Sequence, residues 1–280
     1  MKILSRNVNW IRAVIQKWFF DWVKSNDGDI ICLQEVKAFE NQIPPEARFY
    51  MSDYGYLWHK GTRPWYAGTA IFYKKRIEIV EKKSDFSFHE FSDEGRVTEI
   101  VFKYWEKVIH LLNVYFPNGG DRADGTEMLS YKLDFYEKMR QYVQWIRDDG
   151  EEVIVCGDFN ICHTEIDIAR PKENENSIWF LPIERAEMDK MEDDGLVDVF
   201  RKLNPDLKDQ YTWRSYRWWA RERNVGRRLD YFWISPELFD GVKNMQHQVN
   251  VQWSDHCPIR LEFQNNWVLQ IRQPYMEFAC

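Results

Sequence analysis

The chain reads as an α/β protein in which two packed sheets are flanked by helices. Two observations predict this. Strand-like apolar runs recur from Lys2–Val8 to Pro258–Phe263, with helical stretches among them. No Gly/Ser-rich or Pro-rich linker and no internal repeat divides the pattern, so one domain over residues 1–263 is expected, with a tail, 264–280, outside it. At 280 residues the chain is long enough to bury a sizeable core.

The elements follow from periodicity. Lys2–Val8 is a strand. Ile11, Val14, Ile15, Trp18, Phe19 and Trp22 recur at helical spacing and predict one helix from Asn9 to about Lys24, its aromatic residues in the core. Asp29–Gln34 is a short buried strand. Gly68–Tyr73, Arg76–Val80, Arg96–Tyr104 and Val108–Phe116 form a strand-rich middle, with a hairpin turn at Trp105-Glu106-Lys107. Thr126–Arg147 is the clearest helix: Thr126 is the candidate N-cap, Leu129 to Ile146 supply an apolar face, and Gly150 follows as a stop. Val153–Cys156 is buried strand, and residues 183–203 are helical with a break at Gly195. Leu229–Ile234, Val242–Val249 and Pro258–Phe263 close the chain as strands.

Composition narrows the function. The net charge of −7 argues against a protein that is basic all over and coats nucleic acid. Residues 211–230 oppose that average: six arginines are interleaved there with Tyr211, Trp213, Tyr216, Trp218 and Trp219, a combination suited to phosphate and base contact. The five cysteines include no C-x-x-C pair, which argues for reduced thiols and against a zinc site. No apolar run is long enough to span a membrane, and the start turns polar too early for a secretory signal, so a cytoplasmic monomer is expected, a nuclear location staying open.

Polar residues gather where the apolar runs end. Asn7 and Asn9 follow the first strand, Glu35 ends the second, Asp158 and Asn160 follow Val153–Cys156, Asp230 opens Leu229–Ile234, and Ser254-Asp255-His256-Cys257-Pro258 precedes the last strand. Each has a plainer reading. Glu35 can be a turn cap, Asp158 and Asn160 an Asx-turn, Asp230 a partner of Arg228, and the asparagines caps of the first helix. If extended, Asp158 and Asn160 would face one side. Were Glu35, Asp158, Asp230 and Asp255 to converge, the four carboxylates would need a cation or protons. An all-oxygen set selects Mg²⁺ or Mn²⁺ over zinc. With asparagine donors and one histidine, such a site suits attack of water on a phosphodiester.

Six segments in order, Leu4–Asn9, Cys32–Lys37, Asn113–Asn118, Gly157–Asn160, Arg228–Tyr231 and Ser254–Pro258, resemble the exonuclease III/AP endonuclease family, over residues 2 to about 263. The resemblance implies a four-layer α/β sandwich of the DNase I-like kind. It implies a Mg²⁺-dependent (or Mn²⁺-dependent) DNA-repair phosphodiesterase that cuts duplex DNA 5′ to abasic sites, with 3′→5′ exonuclease or 3′-end trimming activity. Carried onto this sequence, Glu35 binds the metal, with Asp255, Asn7, Asn9, Asp158 and Asn160 around it. Asp158 is the acid/base and Asn160 orients it or the nucleophile. His256, paired with Asp230, polarises the phosphate, Tyr115 offers its hydroxyl or phenolate, and Asn118 contacts the backbone. Trp213, Arg227 and Leu229 form the damage pocket, Arg217 enters the groove, and Asn174 and Asn176 reach DNA. Arg227 departs from the family, whose members often carry Trp there. Trp10 stands where Gly is common and is expected to add core packing. The competing readings are a related phosphodiesterase acting on RNA or another phosphodiester, and a nonenzymatic nucleic-acid-binding module.

Overall fold

A computed structural model of the chain describes all residues except 18, 46–49, 64, 85–90, 92 and 265–280. Trp18 and nearly all of the tail therefore lie outside the described residues. The described strands form two six-stranded mixed sheets. The first runs β11 (Val242–His247), β12 (Ile259–Phe263), β1 (Lys2–Asn7), β2 (Ile30–Gln34), β4 (Thr69–Lys74) and β3 (Tyr54–His59). The second runs β5 (Ile79–Lys83), β6 (Val97–Tyr104), β7 (Lys107–Tyr115), β8 (Glu152–Asp158), β10 (Asp230–Ile234) and β9 (Val197–Asp198). Each sheet has one central parallel pair, β1 with β2 and β7 with β8, and antiparallel neighbours.

Strand alternation makes the four layers. In β8, Ile154 and Cys156 join Ile3, Ile30, Cys32 and Phe232 between the sheets. Val153 and Val155 point the other way, against Phe135, Tyr136, Met139 and Val143 of the Leu129–Asp148 helix. On the far side, Leu4, Ile31 and Leu33 meet Ile11, Val14, Phe19 and Trp22. Cys32, Cys156, Cys162 and Cys257 are free and buried. Among the described residues, no helix is long and apolar enough to cross a membrane.

Several expectations need correction. The first helix is two: Ile11–Ile15 and Phe19–Asn26, the first ending at Gln16. Two short helices let both Ile11/Val14 and Phe19/Trp22/Val23 reach the sheet. The long helix begins at Leu129, because Thr126 folds back onto Asp124 Oδ1 and Glu127 instead receives the Ser130 amide at 3.1 Å. The strand expected at Arg76–Val80 starts at Ile79, after a turn in which the Ile77 amide bonds the Lys74 carbonyl. Edge strand β3, half-buried and interrupted by Gly55, had no clear period in the sequence. The hairpin turn holds as two residues, Trp105-Glu106, between paired Tyr104 and Lys107.

Candidate active site

The motif residues meet at one end of the sandwich because their strands end there. In the parallel pair β1/β2, Asn7 lies opposite Gln34, so Asn7 and Glu35 leave the sheet together. In β7/β8, Tyr115 lies opposite Asp158, and β10 begins with Asp230 opposite that same aspartate. Gly157 makes this register possible. A Cβ there would stand 1.9 Å from the Val114 carbonyl oxygen, and its φ of 135° favours glycine.

Asn7, fully buried, ties the two sheets together. Its Nδ2 donates to Glu35 Oε1 at 2.8 Å and to Asp158 Oδ2 at 2.9 Å, and its Oδ1 accepts from the Asn9 amide at 2.9 Å. Asn9 then donates to Asp255 Oδ1 at 3.1 Å, and Trp213 Nε1 donates to Asp255 Oδ2 at 3.1 Å. The asparagines therefore do not cap a helix; no side chain caps the Ile11–Ile15 helix.

His256 joins the remaining carboxylates. Its Nδ1 lies 2.8 Å from Asp230 Oδ2 and its Nε2 lies 3.6 Å from Asp158 Oδ2. Asp230 is thus not a partner of Arg228, which pairs with Asp167 at 2.7 and 3.0 Å and with Asp198 at 2.7 Å. The Asp158–Asn160 expectation needs amendment. Asn160 has φ 53°, not an extended value, and its amide donates to Asp158 Oδ1 at 3.0 Å. The segment is an Asx-turn that also carries site residues, and Asn160 turns its Nδ2 to the Phe116 carbonyl at 2.9 Å.

Burial sets the charge states. It pushes the Asp158 carboxyl up, and nearby Asp230 and Glu35 add to this against the opposing His256. Burial alone would lower His256, but Asp230 and Asp158 outweigh it and hold the imidazole well above its ordinary value. Asp255 is penalised by burial, yet His256 and the bonds from Asn9 and Trp213 keep it below the usual range. Tyr115 is pushed far up, first by burial and then by Glu35, so it presents a phenol and not the phenolate that the sequence left open.

The donor set fits a hard cation. Asp158, Asp230 and His256 offer ligand atoms all within 4.8 Å of one another. Asp230 Oδ1 is buried with no hydrogen-bond partner among the described residues. Positive charge already lodges at the other side of the cluster: Lys37 Nζ sits 2.5 Å from Glu35 Oε2 and 2.8 Å from Asn9 Oδ1. Both imidazole nitrogens face carboxylates, and Glu35 and Asp255 add oxygens to the same cluster through Asn7 and Asn9.

Beside the cluster, Leu229 packs with Cys162, Ile168 and Phe180, and Trp213 and Trp179 lie against them. The Arg227 guanidinium sits 4.8 Å from the Trp179 ring and 5.6 Å from the Trp213 ring, and Asn174 Oδ1 accepts from it at 3.0 Å. No hydrogen bond among the described residues joins Asn118, Asn176 or Arg217 to the cluster, and all three are exposed. Two arginines of the basic stretch, Arg214 and Arg228, are buried, so its surface charge is smaller than the sequence suggests. Trp10 is not core packing: it is 42% exposed and meets Trp65 edge-on. The sequence reading missed Lys37 and Trp179. Lys37 had a signal, two residues after Glu35; Trp179 had none.

The family model described as Endonuclease/Exonuclease/phosphatase family matches residues 7–256. An exodeoxyribonuclease of Bacillus subtilis is 37% identical, over 93% of this chain and 98% of its own length. A DNA-(apurinic or apyrimidinic site) endonuclease of Dictyostelium discoideum is 33% identical, over 92% of this chain and 69% of its own. The solved structure of an AP endonuclease from Archaeoglobus fulgidus superimposes with a TM-score of 0.81 at 29% identity, covering 94% of this chain and 99% of that one. With the six motifs at the strand ends of a DNase I-like sandwich, the chain is an enzyme of the exonuclease III/AP endonuclease family.

Proposed function

We propose that this enzyme hydrolyses duplex DNA 5′ to abasic sites and trims 3′ ends, with Mg²⁺ held by Glu35 and Asp255. The observation that supports this most is the line Asp230–His256–Asp158, joined to Glu35 through Asn7. Asp230 holds Nδ1 and keeps the imidazole charged, which leaves Nε2–H as donor to a phosphate oxygen. The Tyr115 phenol donates to a second oxygen as negative charge grows on the phosphate. Asp158, its pKa raised toward neutrality, takes a proton from the attacking water as the water oxygen bonds to phosphorus; the P–O3′ bond breaks with its electron pair going to O3′, which takes a proton from solvent water. Asn160 holds Asp158 in place through the Asx-turn. A bound Mg²⁺ supplies charge neutralisation at the phosphate. Asn118, Asn174, Asn176 and Arg217 are proposed contacts to the DNA backbone and groove, and Trp213, Arg227 and Leu229 line the pocket for the baseless sugar.

The test is nicking of a duplex bearing one abasic analogue, beside undamaged duplex, recessed 3′ ends and RNA, with Mg²⁺ or EDTA. The reading expects Mg²⁺-dependent cleavage at the analogue. Equal cleavage of RNA, or full activity in EDTA, would contradict it.

A further inference from the structure

Lys132 lies on the Leu129–Asp148 helix, outside the catalytic cluster, and is wholly buried. An ammonium has three N–H donors and no acceptor. All three are used: on the Asn160 carbonyl at 2.7 Å, the Asn118 carbonyl at 3.2 Å and Glu184 Oε1 at 2.5 Å. The carbonyls flanking Asn160 are tied as well, Phe159 to the Tyr136 hydroxyl at 2.5 Å and Ile161 to the Tyr231 hydroxyl at 2.8 Å. Gly119 lets the neighbouring loop cross the lysine stem, since a Cβ there would meet Lys132 Cδ at 2.7 Å. We propose that Lys132 is a positioning residue whose ammonium locks the loop carrying Tyr115 and Asn118 to the turn carrying Asp158 and Asn160. Balancing Glu184 would not require these two bonds to separate site loops.

The inference rests on the phosphodiesterase reading. Its test is the double variant Lys132→Met/Glu184→Leu, which removes both buried charges while keeping the volume filled, a change that folds tolerate. Cleavage of abasic duplex should fall about 100-fold in kcat with KM within about threefold, the effect of a displacement near 1 Å. Amide hydrogen exchange over 118–120 and 159–161 should quicken, with the fold kept and the melting temperature lowered by no more than several degrees. Wild-type exchange in these segments, or wild-type kcat, overturns the proposal. Should the double variant fail to fold, Lys132→Arg is read by the same two measurements. If the wild type cleaves no DNA, the phosphodiesterase reading fails, and the exchange result still decides whether Lys132 locks the loops.

Of the 12 tryptophans among the described residues, seven have positive φ: Trp10 (106°), Trp65 (59°), Trp105 (58°), Trp179 (75°), Trp218 (63°), Trp219 (50°) and Trp253 (93°). Such values occur in only a few per cent of non-glycine residues, and for a bulky one they are outliers. Burial does not offset the strain: Trp65, Trp105, Trp218 and Trp219 are 58, 50, 76 and 74% exposed, and the buried Trp179 indole N–H has no partner among the described residues. Glycine is scarce, 13 of 280, against about 7% in ordinary chains. We infer that the fold is built for glycine at these seven positions, as when one codon is read as tryptophan here and as glycine in the source cell. The consequence falls on the site, where Trp10 follows Asn9, Trp253 precedes Asp255 by two and Trp179 walls the pocket.

Peptide mass spectrometry of the protein from its source cells should find glycine at these positions, and single Trp→Gly variants of the recombinant chain should each raise the melting temperature by about 2–4 °C. Tryptophan in the native peptides, or lower melting temperatures throughout the Trp→Gly series, overturns it.

Discussion

The His256 imidazole stands between two aspartates, Nδ1 2.8 Å from Asp230 and Nε2 3.6 Å from Asp158. Asp230 is fully buried and, among the described residues, forms no ion pair with an arginine, so its charge serves the imidazole. Asp230→Asn should lower kcat about 10- to 100-fold, the usual effect of removing such an orienting partner, and DNA binding should change little. A steady-state assay with a parallel binding titration checks this; an unchanged kcat would free Asp230 of the role.

Glu35 shares the Asn7 amide with Asp158 and already holds the Lys37 ammonium. Glu35→Ala should shift the Mg²⁺ titration of activity to much higher concentration, by about tenfold or more. A superimposable titration curve would remove Glu35 from the metal.

Arg227 places a cation against both the Trp179 and Trp213 rings, beside Leu229, in the pocket proposed for the baseless sugar. Arg227→Trp should make that wall apolar and raise the ratio of cleavage at abasic sites to cleavage of paired DNA. The measurement is that ratio on matched duplexes, and no movement in it means that Arg227 does not set specificity.

His247 gives a stability prediction away from the site. Both ring nitrogens are buried without a partner among the described residues, and the ring stacks on Phe200 at 3.9 Å. Burial, with Arg228 beside it, holds its pKa well below the ordinary value. The folded state therefore resists a proton that the unfolded chain accepts near pH 6.5. Stability is full above that pH and falls below it, by up to about 1.4 kcal/mol per pH unit. His247→Phe should flatten that slope in urea melts between pH 7 and 5; an identical slope would refute the assignment.

Much of the site was legible because chemistry-bearing residues sit just past short apolar runs, and such runs become strands whose ends coincide. Asn7, Glu35, Asp158, Asp230 and Asp255-His256 could be named this way. Their partners were less legible. Whether Asp230 meets Arg228 or His256 depends on the β8/β10 register and on Asp167, distant in sequence, which claims the arginine. Trp179 reaches Trp213 and Arg227 through a loop with no periodicity, and the sequence left Asp158–Asn160 open between strand and Asx-turn because i, i+2 spacing fits both; the structure has the turn. In the fold, layers and order could be read from apolar runs, whereas the split of the first helix and edge strand β3 depend on tertiary packing.

In the proposed reaction Asp158 exchanges a proton with the reacting water while Asn7 and His256 hold it beside the phosphate. Single-turnover cleavage of an abasic duplex by Asp158→Asn, with Kd measured on the same DNA, tests it most directly. Cleavage should fall by at least about 1,000-fold with Kd within a few-fold. Cleavage at a rate near that of the wild type, with DNA bound equally well, would contradict it.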